Sequence, residues 1–160
     1  MKENIEFDSL GYIQPSKGHP MTLGIVEELF TQGVAGEERR RKLFENFLRF
    51  LEDLKETSLN IKEIWINGSF ANRTSVPNDI DLVIFVEEPD PENRWSQIKT
   101  EYKPLGLDAY MVTVFPEGDH RTSWTETDYL YWEHQFTRER RTKKKNRKTI
   151  QKGFIILEYV

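Results

Sequence analysis

The segment that most constrains the fold is IDLVIFV, residues 80–86, seven residues without glycine or proline. In an extended chain alternate side chains share a face, so Ile80, Leu82, Ile84 and Val86 line one side and Asp81, Val83 and Phe85 the other. Such a segment is a buried strand, apolar on both sides except where acids stand at its head, and it needs cover above and below. The cover is legible nearby. From Glu37 to Glu56 the residues Leu43, Phe44, Phe47, Leu48, Leu51 and Leu54 recur at three- and four-residue steps, which predicts a core-facing amphipathic helix. Before it, Thr22 is placed to cap a short helix carrying Leu23, Val26, Leu29 and Phe30, ending near Gly33.

The remaining elements follow from changes of period. Ile61, Ile64, Trp65 and Ile66 predict a strand stopping at Asn67-Gly68. Asp90-Pro91 opens a helix with Trp95, Ile98 and Tyr102 at helical spacing, closed by Pro104 and Gly106. Residues 108–115 predict a third strand, Ser123-x-x-Glu126 a capping box before a helix through Trp132, and Phe154 to Val160 a last strand. Residues 1–21, broken by Gly11, Pro15, Gly18 and Pro20, read as an irregular arm. The order α-α-β-β-α-β-α-β predicts an α/β (α+β) fold, a mixed sheet flanked by helices, as one domain over residues 1–160.

Composition narrows the function classes. A chain of 160 residues buries enough surface to fold without staples, and with no cysteine and three scattered histidines it has neither disulfides nor a thiolate zinc site. Its mean hydropathy of -0.69, the 31% of charged residues and the lack of a long apolar run predict a soluble, cytoplasmic protein with no membrane association. The net charge of -4 hides an asymmetry: residues 138–152 carry nine basic side chains and one acidic one, so the rest of the chain is strongly acidic.

The informative stretch is Asn67 to Val86, NGSFANRTSVPNDIDLVIFV. Asp79 and Asp81 flank Ile80 at the head of a strand, so both project on the face opposite Ile80 and Leu82. Two carboxylates that close repel, which raises one pKa or demands a cation, and hard divalent ions suit oxygen-only sites. Asp108 heads the next strand and is a third candidate ligand. Three carboxylates at adjacent strand ends can hold two metals about 4 Å apart, an arrangement that serves phosphoryl chemistry. Gly68 lets a phosphate approach the backbone, and the Ser69 hydroxyl and N–H can donate to it.

A strand, Gly-Ser, a loop, Asp-x-Asp on the next strand and a third acid on a later one: over about residues 61–115 this resembles the nucleotidyltransferases of the DNA polymerase β superfamily, in particular their minimal prokaryotic members. Many of those have Arg-Gly shortly after the serine where this chain has Asn72-Arg73. The resemblance implies a polymerase-β-type fold and transfer of a nucleoside monophosphate, AMP from ATP, to a hydroxyl with Mg²⁺ or Mn²⁺. It implies that Asp79, Asp81 and Asp108 are catalytic and bind the metal, that Gly68 and Ser69 hold the β- and γ-phosphates, and that Arg73 is a charge partner for them. It leaves the acceptor open among a partner protein, as in toxin–antitoxin or phage-defence pairs, a small molecule such as an aminoglycoside, and an RNA 3′ end, with the short chain favouring the partner protein.

Two other readings stand beside it. The chain can be a nucleotide-binding or interaction module with weak or no turnover, or an RNA- or DNA-binding domain using residues 138–152. In the plainest reading, Asp79 and Asp81 are a solvated strand-edge pair and the basic stretch is a solvated loop.

Overall fold

A computed structural model of the chain describes residues 4–87, 94–140 and 149–158. The arm holds three short strands, β1 (Glu6–Phe7), β2 (Ile13–Gln14) and β3 (Gly18–Met21). Helix α1 (Leu23–Thr31) starts where the Thr22 side chain accepts a hydrogen bond from the Ile25 N–H. Helix α2 (Glu37–Lys55) carries Glu37 and Glu38 in its first turn and Lys55 in its last, charges that suit the helix dipole. Strand β4 (Ile61–Asn67) leads through Gly68 into a single 3₁₀ turn, Ser69–Ala71, and a loop returns to β5 (Ile80–Val86). Then come α3 (Arg94–Tyr102), β6 (Leu107–Thr113), α4 (Thr122–Phe136), β7 (Arg138–Arg140), β8 (Thr149–Gln151) and β9 (Phe154–Leu157).

The central sheet is mixed, with strand order β3-β9-β4-β5-β6. Strands β3 and β9 are parallel, β9 runs antiparallel to β4 and β4 to β5, and β5 is parallel to β6. One face packs on α1, α2 and α3: Ile64, Ile66, Ile80, Leu82, Ile84 and Leu107 meet Leu43, Phe47, Phe50 and Leu54 in one buried cluster. Each such apolar side chain stabilises the fold by roughly 1.5–3 kcal/mol when fully buried. The other face packs on α4, where Trp65, Val83, Phe85 and Phe154 meet Phe136, Tyr129 and Trp132. Among the described residues no helix is long and apolar enough to cross a membrane.

The mixed sheet with flanking helices is the expected one, and three details differ from expectation. The arm is more ordered than an irregular reading allows, because Gly18 to Met21 pair in parallel with Phe154 to Leu157. Pro20 is tolerated there because β3 is the outermost strand, where one side of the ladder needs no donor. Helix α4 begins at Thr122 rather than after a Ser123 cap; its N-cap is Arg121, whose N–H and guanidinium both donate to Asp119 Oδ1. The ends of the basic stretch pair as β7 and β8, while residues 141–148 and the Asp90-Pro91 helix start lie outside the described residues.

Candidate functional site

The site grows out of strand register. Asn67 of β4 pairs with Asp81 of β5, and Asp81 lies directly opposite Asp108 of β6, so the three stand in one row across the sheet on the α4 face. Asp79 precedes β5 by one residue, and the Ile80 N–H donates to Gly106 O at 2.8 Å, which holds this end of the strand in place. The row brings Asp79, Asp81 and Asp108 together, each offering an oxygen within 4.8 Å of the others.

Electrostatics follow from that crowding. The Asp81 carboxyl is pushed up to about 6 by burial first, then by Asp79 and Asp108, with Lys152 opposing. Asp79 is also raised, by burial and then by Asp108, with Arg39 opposing. The cluster holds its charge reluctantly and would hold it readily beside a cation. A second observation points the same way: Asn67 is 8% exposed, and its buried Oδ1 has no hydrogen-bond partner among the described residues. An acceptor oxygen stranded beside carboxylates fits an oxygen-ligand cation site.

Gly68 touches the acids directly. A Cβ at this position would sit 1.9 Å from Asp81 Oδ2, and the backbone φ of +76° with ψ of -161° is one that glycine adopts freely. The missing side chain is thus first a requirement of Asp81, which the sequence does not reveal. Ser69 opens the 3₁₀ turn that follows and is partly exposed.

The loop after Gly68 is fixed from below by Arg40, a fully buried side chain of α2. Its guanidinium donates to Ala35 O, Phe30 O, Phe70 O, Ser69 O, Asn72 O and Ser75 O. Burial and the nearby Arg73 lower its pKa to about 10, which leaves it charged at neutral pH. From above, the arm braces the same loop: the Asn72 amide nitrogen and the Thr74 hydroxyl donate to Leu10 O, and the Arg73 N–H donates to Gly11 O.

Arg73, the expected charge partner of the phosphates, turns towards the arm. Its guanidinium lies over the Phe7 ring, 5.1 Å from the centroid. Two cations act on the acids instead: Arg39 of α2 on Asp79, and on Asp81 Lys152, 6% exposed, just before β9. The β4–β9 ladder runs antiparallel through Ile66 and Ile155, so the chain approaches Gly68 on one strand as it approaches Lys152 on the other. The ammonium lies 3.9 Å from Glu139 Oε2 and 5.7 Å from the Tyr12 ring centre. Burial lowers its pKa, with Glu139 and Asp81 opposing.

On the far side of the row an open cleft of about 260 Å³ includes Asn67, Asp81 and Asp108 in its lining, walled by Tyr110 of β6 and Tyr131, Trp132 and Gln135 of α4. Larger hollows of about 560 and 530 Å³ lie over α2 at Glu37, Glu38 and Lys42, but they are bordered by one charged helix face and bring no strand ends together. Sequence reasoning missed Arg40, Asn67 and Lys152 as members of this site. Arg40 looks like one of many surface charges on an amphipathic helix, Asn67 like a turn residue, and Lys152 like the end of a basic run.

Comparison with known proteins adds one finding. A family described as a family of unknown function (DUF6932) matches residues 5–158. No curated protein and no solved structure matches the chain.

Proposed function

Because the chain belongs to the DUF6932 family, whose function is unknown, we propose a function from the site itself: metal-dependent transfer of a nucleoside monophosphate, AMP from ATP, to an acceptor hydroxyl. The convergence of Asp79, Asp81 and Asp108 carries the reading. Their carboxylates, with Asn67 Oδ1 beside them, would hold Mg²⁺ or Mn²⁺. Such a cation supplies neutralisation of phosphate charge and eases deprotonation of a hydroxyl.

The chain's own groups do the rest. Gly68 leaves the backbone open to the polyphosphate, and Ser69 donates to it. Lys152, and not Arg73, is the cation we assign to the leaving end, because its charge opposes the rise of the Asp81 pKa and the β4–β9 register brings it next to the Gly68 turn. Asp108 accepts the proton of the acceptor hydroxyl. The acceptor oxygen bonds to the α-phosphorus as the bond from that phosphorus to the bridging oxygen breaks, and pyrophosphate leaves with the electron pair. Positioning and charge dominate such a reaction.

We assign the acceptor hydroxyl to a macromolecule, either a partner protein, as in the toxin–antitoxin and phage-defence pairs of the family the chain resembles, or the end of a nucleic acid. The experiment is incubation of the purified protein with Mg²⁺, cell extract and ATP labelled at the α-phosphate. The expected result is label fixed to a macromolecule by the wild type and not by Asp81→Asn. Binding of Mg²⁺–ATP with no pyrophosphate released would instead make the protein a nucleotide-sensing module.

A further inference from the structure

Helix α4 is apolar on two sides. Tyr129, Trp132 and Phe136 face the sheet, whereas Tyr131 is 54% exposed and Leu130 68% exposed. Large aromatic side chains left in water beside a polar cluster mark a contact surface for a ligand. Here the surface is the wall of the cleft that begins at Asp81 and Asp108.

The wall is preorganised. Tyr110, two residues beyond Asp108 on the same face of β6, is 46% exposed, yet both its neighbours are set: Trp132 lies 5.5 Å away, centre to centre, and Lys99 Nζ lies 5.1 Å from its ring. Tyr131 meets the edge of Trp132 at 5.2 Å and an interplanar angle of 83°. Beside these rings stand the carboxamides of Gln135, exposed on α4, and Asn67, nine-tenths buried with its Oδ1 unpaired. Flat apolar faces next to carboxamides, which both donate and accept, complement a planar heterocycle with a hydrogen-bonding edge. A purely aliphatic ligand would leave the carboxamides unsatisfied.

We propose that the cleft between Asp108 and α4 is a nucleobase subsite, with Tyr131 as its stacking face, Tyr110 and Trp132 as its floor and Gln135 at its edge. The assignment rests on reading the three aspartates as a nucleotide site and gives that site a direction. Lys152 lies at the β9 side of the acids and the aromatic wall at the β6 side, so the polyphosphate and the base fall on opposite flanks of the row. The base can come from the donor triphosphate or from the end of a nucleic-acid acceptor, and the chemistry of the subsite is the same for both.

Calorimetry on the full chain with Mg²⁺ tests it using two probes, inorganic tripolyphosphate and a non-hydrolysable ATP analogue. The expected result is that Tyr131→Ala weakens the analogue roughly 5- to 150-fold, the size of one lost base–aromatic stack, and leaves tripolyphosphate unchanged. Tyr131 is exposed, so the variant should fold, and Tyr131→Phe should restore the affinity. Equal affinity of Tyr131→Ala and wild type for the analogue, with tripolyphosphate still bound, overturns the subsite and spares the nucleotide site. No binding of either probe by the wild type overturns both. Adenosine added to protein saturated with the analogue separates the two sources: exclusion assigns the cleft to the donor base, and additional binding lost in Tyr131→Ala assigns it to an acceptor base.

Discussion

Gly68 and Asp81 are in contact across the β4–β5 ladder, and the carboxylate occupies the space where any other residue would carry a Cβ, 1.9 Å from Asp81 Oδ2. Substituting Gly68→Ala therefore moves Asp81 or the turn. The strained backbone alone costs of order 1–3 kcal/mol, and displacement of the carboxylate should abolish Mn²⁺ binding. Thermal unfolding and a metal titration check this; a variant that keeps wild-type metal affinity would show that Asp81 need not stand where it does.

The raised pKa of Asp81 sets a pH dependence. Its folded value of about 6 exceeds its ordinary value of 3.8, so between these pH values the folded chain keeps a proton that the unfolded chain releases. This group's contribution to stability therefore declines as pH rises through that window and is flat above it. Relative to the wild type, Asp81→Asn should gain melting temperature without metal as pH goes from 4 to 7. A divalent cation selects the ionised carboxylate, so Mn²⁺ should raise the wild-type melting temperature more at pH 7 than at pH 5. A metal effect larger at pH 5 would contradict the assignment.

Arg40 supports six backbone carbonyls with one side chain. Arg40→Met leaves them without a donor in the interior, at about 1–3 kcal/mol for each one that water cannot reach. The expected loss is at least ~3 kcal/mol in chemical denaturation. Arg40→Lys should recover little of it, because a point charge cannot reproduce the planar fork. A loss below 1 kcal/mol would mean that the loop is held by the arm instead.

Lys152 is a buried charge whose ion pair with Glu139 is long, so its removal should separate stability from binding. Lys152→Met should leave the melting temperature unchanged or higher, since desolvation no longer opposes folding, while triphosphate affinity falls about tenfold, about 1.4 kcal/mol. Nucleoside monophosphate affinity should hardly change. The pH midpoint of Mn²⁺ binding should move upward, because Lys152 restrains the Asp81 pKa. Equal losses for mono- and triphosphate would assign Lys152 a packing role only.

Much of this architecture can be read from residue order because it depends on local period. The spacing of Leu43, Phe47, Leu51 and Leu54 matches the buried side of α2, and the two faces of Ile80–Val86 fall as alternation requires. The acidic row is legible for the same reason, since Asp79 and Asp81 are fixed by the strand and Asp108 by the head of the next. What remained hidden depends on contacts between distant segments. Nothing near Arg40 in the chain tells that carbonyls 29 to 35 residues later will converge on it. Lys152 is one of nine cations in its stretch until β9 lands beside β4. The pairing of Gly18–Met21 escapes because a segment with glycine and proline shows no strand period and is ordered only by its neighbour.

Strand β9 lies inside the sheet, between β3 and β4, although it follows β4, β5, β6 and α4 along the chain. During synthesis from the N-terminus, β4 therefore waits with one edge bare, and β3 waits with none of its sheet partners made. An open edge invites pairing with foreign strands, so the nascent polypeptide passes through a vulnerable interval that ends only when Phe154 to Leu157 leave the ribosome. Lys152 reaches its corner in that same late step, which couples arrival of the ammonium to closure of the sheet.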